Sequence, residues 1–76
     1  MDELIQRITT DVNVCGGLPC IRDTRVRVLD VLELLSAGAE KKEILDDYPW
    51  LEPDDIRACF AYAARVTAGL FKNDRD

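Results

Sequence analysis

The feature that most constrains this chain is a change of hydrophobic period at a single residue, Val28. Up to it, Thr24-Arg25-Val26-Arg27-Val28 alternates polar and apolar. That places Val26 and Val28 on one face of a strand and Arg25 and Arg27 on the other. Beyond it, Val28, Val31, Leu32 and Leu35 recur at helical spacing and form one apolar stripe. The chain therefore divides into a strand-and-turn part, about 1–28, and a helical part, about 29–68, with a frayed tail over 69–76. At 76 residues this is one domain, 1–76. A chain of that length buries only about 60–65% of its unfolded surface, so its core is marginal without a partner.

The first part carries Ile, Thr and Val from Leu4 to Val14, which favours strand. Gly16-Gly17 followed by Pro19 signals a turn, since glycine tolerates positive φ and proline fixes φ. Two short strands make no stable sheet alone and must pack on the helices or pair with a second copy. In the helical part, a first helix is predicted at about 29–37, stopped by Gly38 in a left-handed cap. A second, about 40–47, buries Ile44 and Leu45, turns Tyr48 inward and ends at Tyr48-Pro49. Its start is weakly signalled because Ala39 is no N-cap. The third, about 53–68, opens with Pro53 at its first position and Asp54-Asp55 at the positive end of its dipole. Its inward stripe is Ile56, Cys59, Phe60, Ala63, Val66 or Thr67, and Leu70. Trp50 and Leu51 are expected to plug the junction before it. The fold class that follows is mainly α: a three-helix, helix-turn-helix-like domain of homeodomain or winged-helix type, preceded by short N-terminal β-strands.

Charge and composition narrow the chemistry. The net charge of -5 arises entirely from residues 30–76, because four arginines and four acids balance over 1–29. The chain has no histidine, which removes most acid–base and metal chemistry. No apolar run reaches the roughly 20 residues of a membrane span, and Met1-Asp2-Glu3 lacks a signal-peptide charge, so a cytoplasmic protein without a membrane partner is expected. Three cysteines and no histidine fall short of a structural zinc site. Cys15 and Cys20 read as reduced, half-buried residues shaping a turn and Cys59 as core filler. A Cys15–Cys20 bridge under oxidation, or a thiol or metal sensor built on this pair, is the alternative. Asp46, Asp47, Asp54 and Asp55 read as solvated helix caps. No catalytic, cofactor-binding or metal-binding residue is assigned.

For nucleic acid, Arg57, Ala61 and Arg65 share one outward face of the third helix, with Tyr62 beside them. The plainer reading is a solvated face with an Asp54–Arg57 pair, and Asp54-Asp55 would repel phosphate. Arg22, Arg25 and Arg27 form a better basic cluster, or a sheet edge defended by charge. The alanine-rich flank Ala58, Ala61, Ala64 and Ala68 is smooth enough for another helix, so Ala58, Ala61, Tyr62 and Ala68 are candidates for a homodimer or partner interface, unless the domain's own core uses them.

The segment Cys15-Gly16-Gly17-Leu18-Pro19-Cys20-Ile21-Arg22-Asp23-Thr24-Arg25-Val26 resembles the signature of the small bacterial domain-of-unknown-function family 433, with Gly16, Gly17, Pro19 and Thr24 as its turn. Leu32 to Gly38, Glu43 to Pro49 and Asp54 to Ala58 are similar to that family as well. The resemblance covers about residues 5–65. It implies a helix-turn-helix-like antitoxin that binds and silences a ribonuclease toxin of the PIN-like class, the complex binding its own operator DNA. A regulator that binds DNA alone is the alternative. The chain departs from the family pattern at Asp23 for Gly, Leu18 for Lys and Arg27 for Pro. Ala39 and Glu52 stand where Ser or Thr often caps, which is expected to weaken those helix starts by about 1 kcal/mol each.

Overall fold

The computed structural model describes residues 2–75. The chain opens with one helical turn, α1 (Asp2–Ile5), where strand propensity predicts an extended start. Arg7 N–H donates to the Leu4 carbonyl at 3.0 Å to close it, and α1 lies along the last helix of the fold. Packing against that helix overrides a local preference worth only about 1 kcal/mol.

Three two-residue strands follow: β1 (Ile8–Thr9), β2 (Cys20–Ile21) and β3 (Val26–Arg27). They form an antiparallel meander in that order, with Ile8 opposite Ile21 and Ile21 opposite Val26. This row feeds the core, where Ile21 is fully buried. Between β1 and β2 the chain detours through an Asx turn, Asn13 N–H donating to Asp11 Oδ1 at 2.9 Å. A 3-10 turn over Cys15–Gly17 completes the detour, with φ of 66° at Gly16 and 84° at Gly17. The strand expected over 24–28 is shorter because Thr24 builds a turn instead. Its hydroxyl donates to the Ile21 carbonyl at 2.7 Å and accepts the Val26 N–H at 3.0 Å, leaving Arg25 left-handed at φ 62°. Val26 and Val28 nonetheless both point into the core, as their alternation predicts.

The three predicted helices are α2 (Val28–Ser36), α3 (Lys41–Asp47) and α4 (Pro53–Arg75). The domain is thus mostly helical, with a small three-stranded sheet at its N-terminal end. α2 ends as Gly38 requires. Gly38, at φ 103°, donates to Leu35 O at 3.1 Å and Ala39 N–H to Leu34 O at 3.0 Å, the double bond of a Schellman cap. α3 is better started than Ala39 suggests, because the cap is one residue later. Glu40 and Glu43 form a reciprocal capping box, with Glu40 N–H donating to Glu43 Oε1 at 2.9 Å. At the junction, Leu51 does the plugging. Trp50 stays 56% exposed, edge-on to Tyr48 with ring centroids 5.7 Å apart.

α4 runs past the expected end near residue 68, through Gly69, to Arg75. Its buried arc also differs from the expected stripe. Asp55, Ile56, Ala58, Cys59 and Ala61 are buried, whereas Phe60 and Val66 are exposed. The cause is that α4 is covered on two sides, by α2 and α3 on one and by α1 and β1 on the other. The shared core comprises Ile21, Val26, Val28, Val31, Ile44, Leu51, Ile56 and Cys59. Ile56 is fully enclosed there. Ile56→Ala should therefore cost about 2–5 kcal/mol, read from urea denaturation midpoints, whereas Phe60→Ala should cost much less.

Candidate functional site

An ion-pair cluster where the sheet meets the start of α4 organises the polar side of the domain. Arg7 enters β1 and sends its Nη1 to Glu52 Oε1 at 2.7 Å and to Asp55 Oδ1 at 2.9 Å. Arg22, leaving β2, reaches the same two oxygens at 3.3 and 3.5 Å. Its N–H donates to the Arg7 carbonyl at 2.8 Å, so the two arginines are held side by side. Asp55 is completely buried, and its other oxygen accepts the Glu52 N–H at 2.8 Å. It therefore plays the part of the N3 carboxylate of a capping box, accepting the N–H of the N-cap residue Glu52, and Asp55 is an internal ligand rather than a solvated cap. The hydrogen bonds to Glu52 and then Asp55 raise the Arg7 guanidinium further above its ordinary range. Sequence reasoning passed over Arg7. The one available signal was that Arg7 is the single charged residue between Glu3 and Asp11.

The other candidate arginines are dispersed. Arg27 grips Asp30 with Nε at 3.0 Å and Nη2 at 2.9 Å, and this hydrogen-bonded pair raises its pKa. Arg57 bonds Asp54 at 3.2 Å, the pair its spacing predicts. Ala61 is buried between Arg57 and Arg65, so these arginines do not share one continuous exposed stripe. Arg22 and Arg25 do come together. They line an open cleft of about 400 Å³ with Thr9, Thr10, Asp11 and Cys20. Among the described residues, no group of three His, Cys, Asp or Glu side chains is placed to hold a metal.

The interface candidates on α4 also change. Ala58 and Ala61 are buried within the domain, and Ile5 of α1 comes up beside Ala61 and Ala64. The smooth alanine flank is thus split, its first half inside the domain and Ala64 still exposed. Ala68 remains exposed, and half-buried Tyr62 turns to a different feature. That feature is an apolar groove of about 260 Å³ whose walls include Leu18, Pro19, Leu29, Leu32, Tyr62 and Val66. Leu18, Leu29 and Val66 are 41–48% exposed in it, the Pro19 carbonyl anchoring the loop to the Val28 N–H at 3.0 Å. No motif marked this groove, because its residues come from three separate segments.

The cysteines split two and one. Cys15 and Cys20 are paired as a disulfide across the Gly-Gly turn, where the sequence reads as two reduced thiols. The turn folds back far enough for their sulfurs to meet, a proximity the spacing alone does not reveal. Cys59 is a free, buried thiol whose pKa is pushed up to about 12, by burial first and by the Asp55 charge second.

Two outcomes follow. Asp55→Ala should cost about 2–3 kcal/mol in chemical denaturation, since the Glu52 N–H and two guanidiniums lose their acceptor; neighbouring Asp54→Ala should cost less than about 0.5 kcal/mol. Cys59 keeps its proton in the fold up to about 12 but ionises near 9.0 when exposed. Its contribution is complete below 9.0 and is lost as pH rises through about 12. Denaturation midpoints should fall more steeply across that window for the wild type than for Cys59→Ala.

The comparisons with known proteins agree with this architecture. The family described as "Protein of unknown function (DUF433)" matches residues 8–63. Over 56 residues the chain is 36% identical to the uncharacterized protein y4eO of Sinorhizobium fredii (strain NBRC 101917 / NGR234), covering 74% of this chain and 25% of that protein. The chain thus spans about a quarter of the length of that curated relative. The crystal structure of a DUF433 member protein from Anabaena variabilis ATCC 29413 aligns with a TM-score of 0.78 at 29% identity, over 99% of this chain and 74% of that one. Sharing that fold and matching the family over most of its length, the chain belongs to DUF433.

Proposed function

We propose that this domain is a non-enzymatic binding protein of the antitoxin type, which docks on and silences a PIN-like ribonuclease and, with it, represses its own operator. The observation that carries the reading is how the charge is used. Arg22, Arg27 and Arg57 are already engaged with carboxylates of the same chain, while an apolar groove stands open between the Leu18 loop, α2 and α4. A domain built to grip phosphates leaves its guanidiniums available. One built to grip a protein leaves an apolar patch with a charged rim. The exposed acids Glu43, Asp46 and Asp47 on α3 suit a partner whose own groove is basic because it holds RNA. The nuclease class comes from the resemblance of the 15–26 segment and its companions. The helix-turn-helix reading rests on α3, the connection 48–52 and α4, and a homodimer would supply the second half-site.

Co-expression with a PIN-like nuclease encoded beside this chain should yield a complex that survives gel filtration and should relieve growth inhibition. Leu29→Asp with Val66→Asp should weaken that complex by roughly tenfold or more while the free domain stays folded. Failure to co-purify together with undiminished toxicity refutes the proposal. The second reading, a regulator that binds DNA alone, is favoured by the Arg22–Arg25 cleft. It requires the isolated domain to bind its upstream DNA with an affinity that falls steeply with salt and is lost in Arg25→Ala.

A further inference from the structure

We infer that Cys15 and Cys20 are a reversible dithiol–disulfide pair that sets one wall of the apolar groove, so that the redox state of the domain controls what docks there; the control of docking rests on the function proposed above. The two sulfurs close a loop of which Leu18 and Pro19 line the groove. Position and chemistry are therefore coupled: whatever fixes the loop fixes the groove wall.

The backbone supplies an independent observation. Cys15, Gly16 and Gly17 are consecutive left-handed residues, with φ of 54°, 66° and 84°. The glycines adopt this freely, but Cys15 carries a Cβ and does not. A side-chain-bearing residue held in that region requires surroundings that over-determine it, and such residues cluster at clamps and switches. The turn's own hydrogen bonds, Gly17 N–H to Val14 O at 3.0 Å and Leu18 N–H to Cys15 O at 3.2 Å, hold Cys15 together with the bond to Cys20. Opening that bond removes one of these restraints, and the two glycines let the loop adjust.

Accessibility divides the roles. Cys15 is half-buried and within reach of solvent, whereas Cys20 is 1% exposed. Cys15 is therefore the attacking sulfur and Cys20 the resolving one. The oxidant is an anionic low-molecular-weight disulfide of the glutathione class, whose carboxylates suit exposed Arg25 in the cleft that Cys20 also lines. The Cys15 thiolate attacks one sulfur of that disulfide and expels one thiolate, leaving a mixed disulfide. The Cys20 sulfur, having lost its proton, then displaces the second thiolate. Two protein thiols are oxidised, the small disulfide is reduced to two thiols, and the two protons pass to them. Cys59, buried in the core, takes no part.

The test equilibrates the full chain in reduced and oxidised glutathione buffers. Free thiols are counted by alkylation and mass spectrometry, and the methyl signals of Leu18, Leu29 and Val66 are followed by NMR. Cys15 and Cys20 should lose reactivity together in one transition, with the Leu29 and Val66 methyls shifting at the same midpoint. Cys15→Ser, which leaves the buried Cys20 in place, should abolish both responses and remain folded. If both cysteines stay alkylatable in fully oxidised buffer, or the methyls do not move through the transition, the inference is wrong. Nuclease binding measured in both buffers separates the two proposals. Equal affinity in both overturns redox control and leaves docking intact. Binding in neither overturns docking and leaves the redox pair to be judged by the mass and methyl data.

Discussion

The buried Asp55 carboxylate is the interaction on which the rest of this small structure depends. A carboxylate removed from water is costly unless charge and hydrogen bonds replace its hydration. Here two guanidiniums from the sheet and one backbone N–H from the helix start do so, and no buried side-chain polar atom among the described residues lacks a partner. Because Arg7 and Arg22 lie on either side of the β1–β2 pairing, the carboxylate joins the sheet to α4 and starts that helix at once. Strands of two residues have little stability of their own, so this tie and the row Ile8, Ile21 and Val26 are what hold the sheet in place.

That use of charge bears on function. Arginines bound to internal carboxylates are less available for phosphates, and the molecule keeps an acidic surface with an apolar groove for its outward contacts. The same segment that carries the family signature supplies both the groove's outer wall and the paired cysteines. Its glycines and proline serve a loop that fixes where Leu18 stands, while Arg22 and Thr24 next to it serve the sheet. One stretch of sequence therefore does structural work on one side and surface work on the other.

Much of the helical part was legible in the sequence because its signals are local. The Val28, Val31, Leu32, Leu35 stripe, the Gly38 stop and Pro53 at the head of α4 each follow from backbone geometry over a few residues, and each is where those rules put it. The errors have one origin. Leu4-Ile5 reads as strand until α4 packs against it. Ala61 reads as an interface candidate until Ile5 of α1 comes up beside it. Trp50 reads as core until Leu51 takes its place, and Asp55 reads as a solvated cap until Arg7 arrives from far along the chain.

The sequence by itself determined the family, the order of strand-and-turn part before helical part, and the buried stripe of α2, because periodicity and capping act within one or two helical turns. Tertiary structure decided which arginines are spent on carboxylates, which alanines are inside, that Cys15 meets Cys20, and that Leu18, Leu29 and Val66 face one groove. Those outcomes depend on which distant surfaces touch, and charge pairing or burial has its energy only once they do.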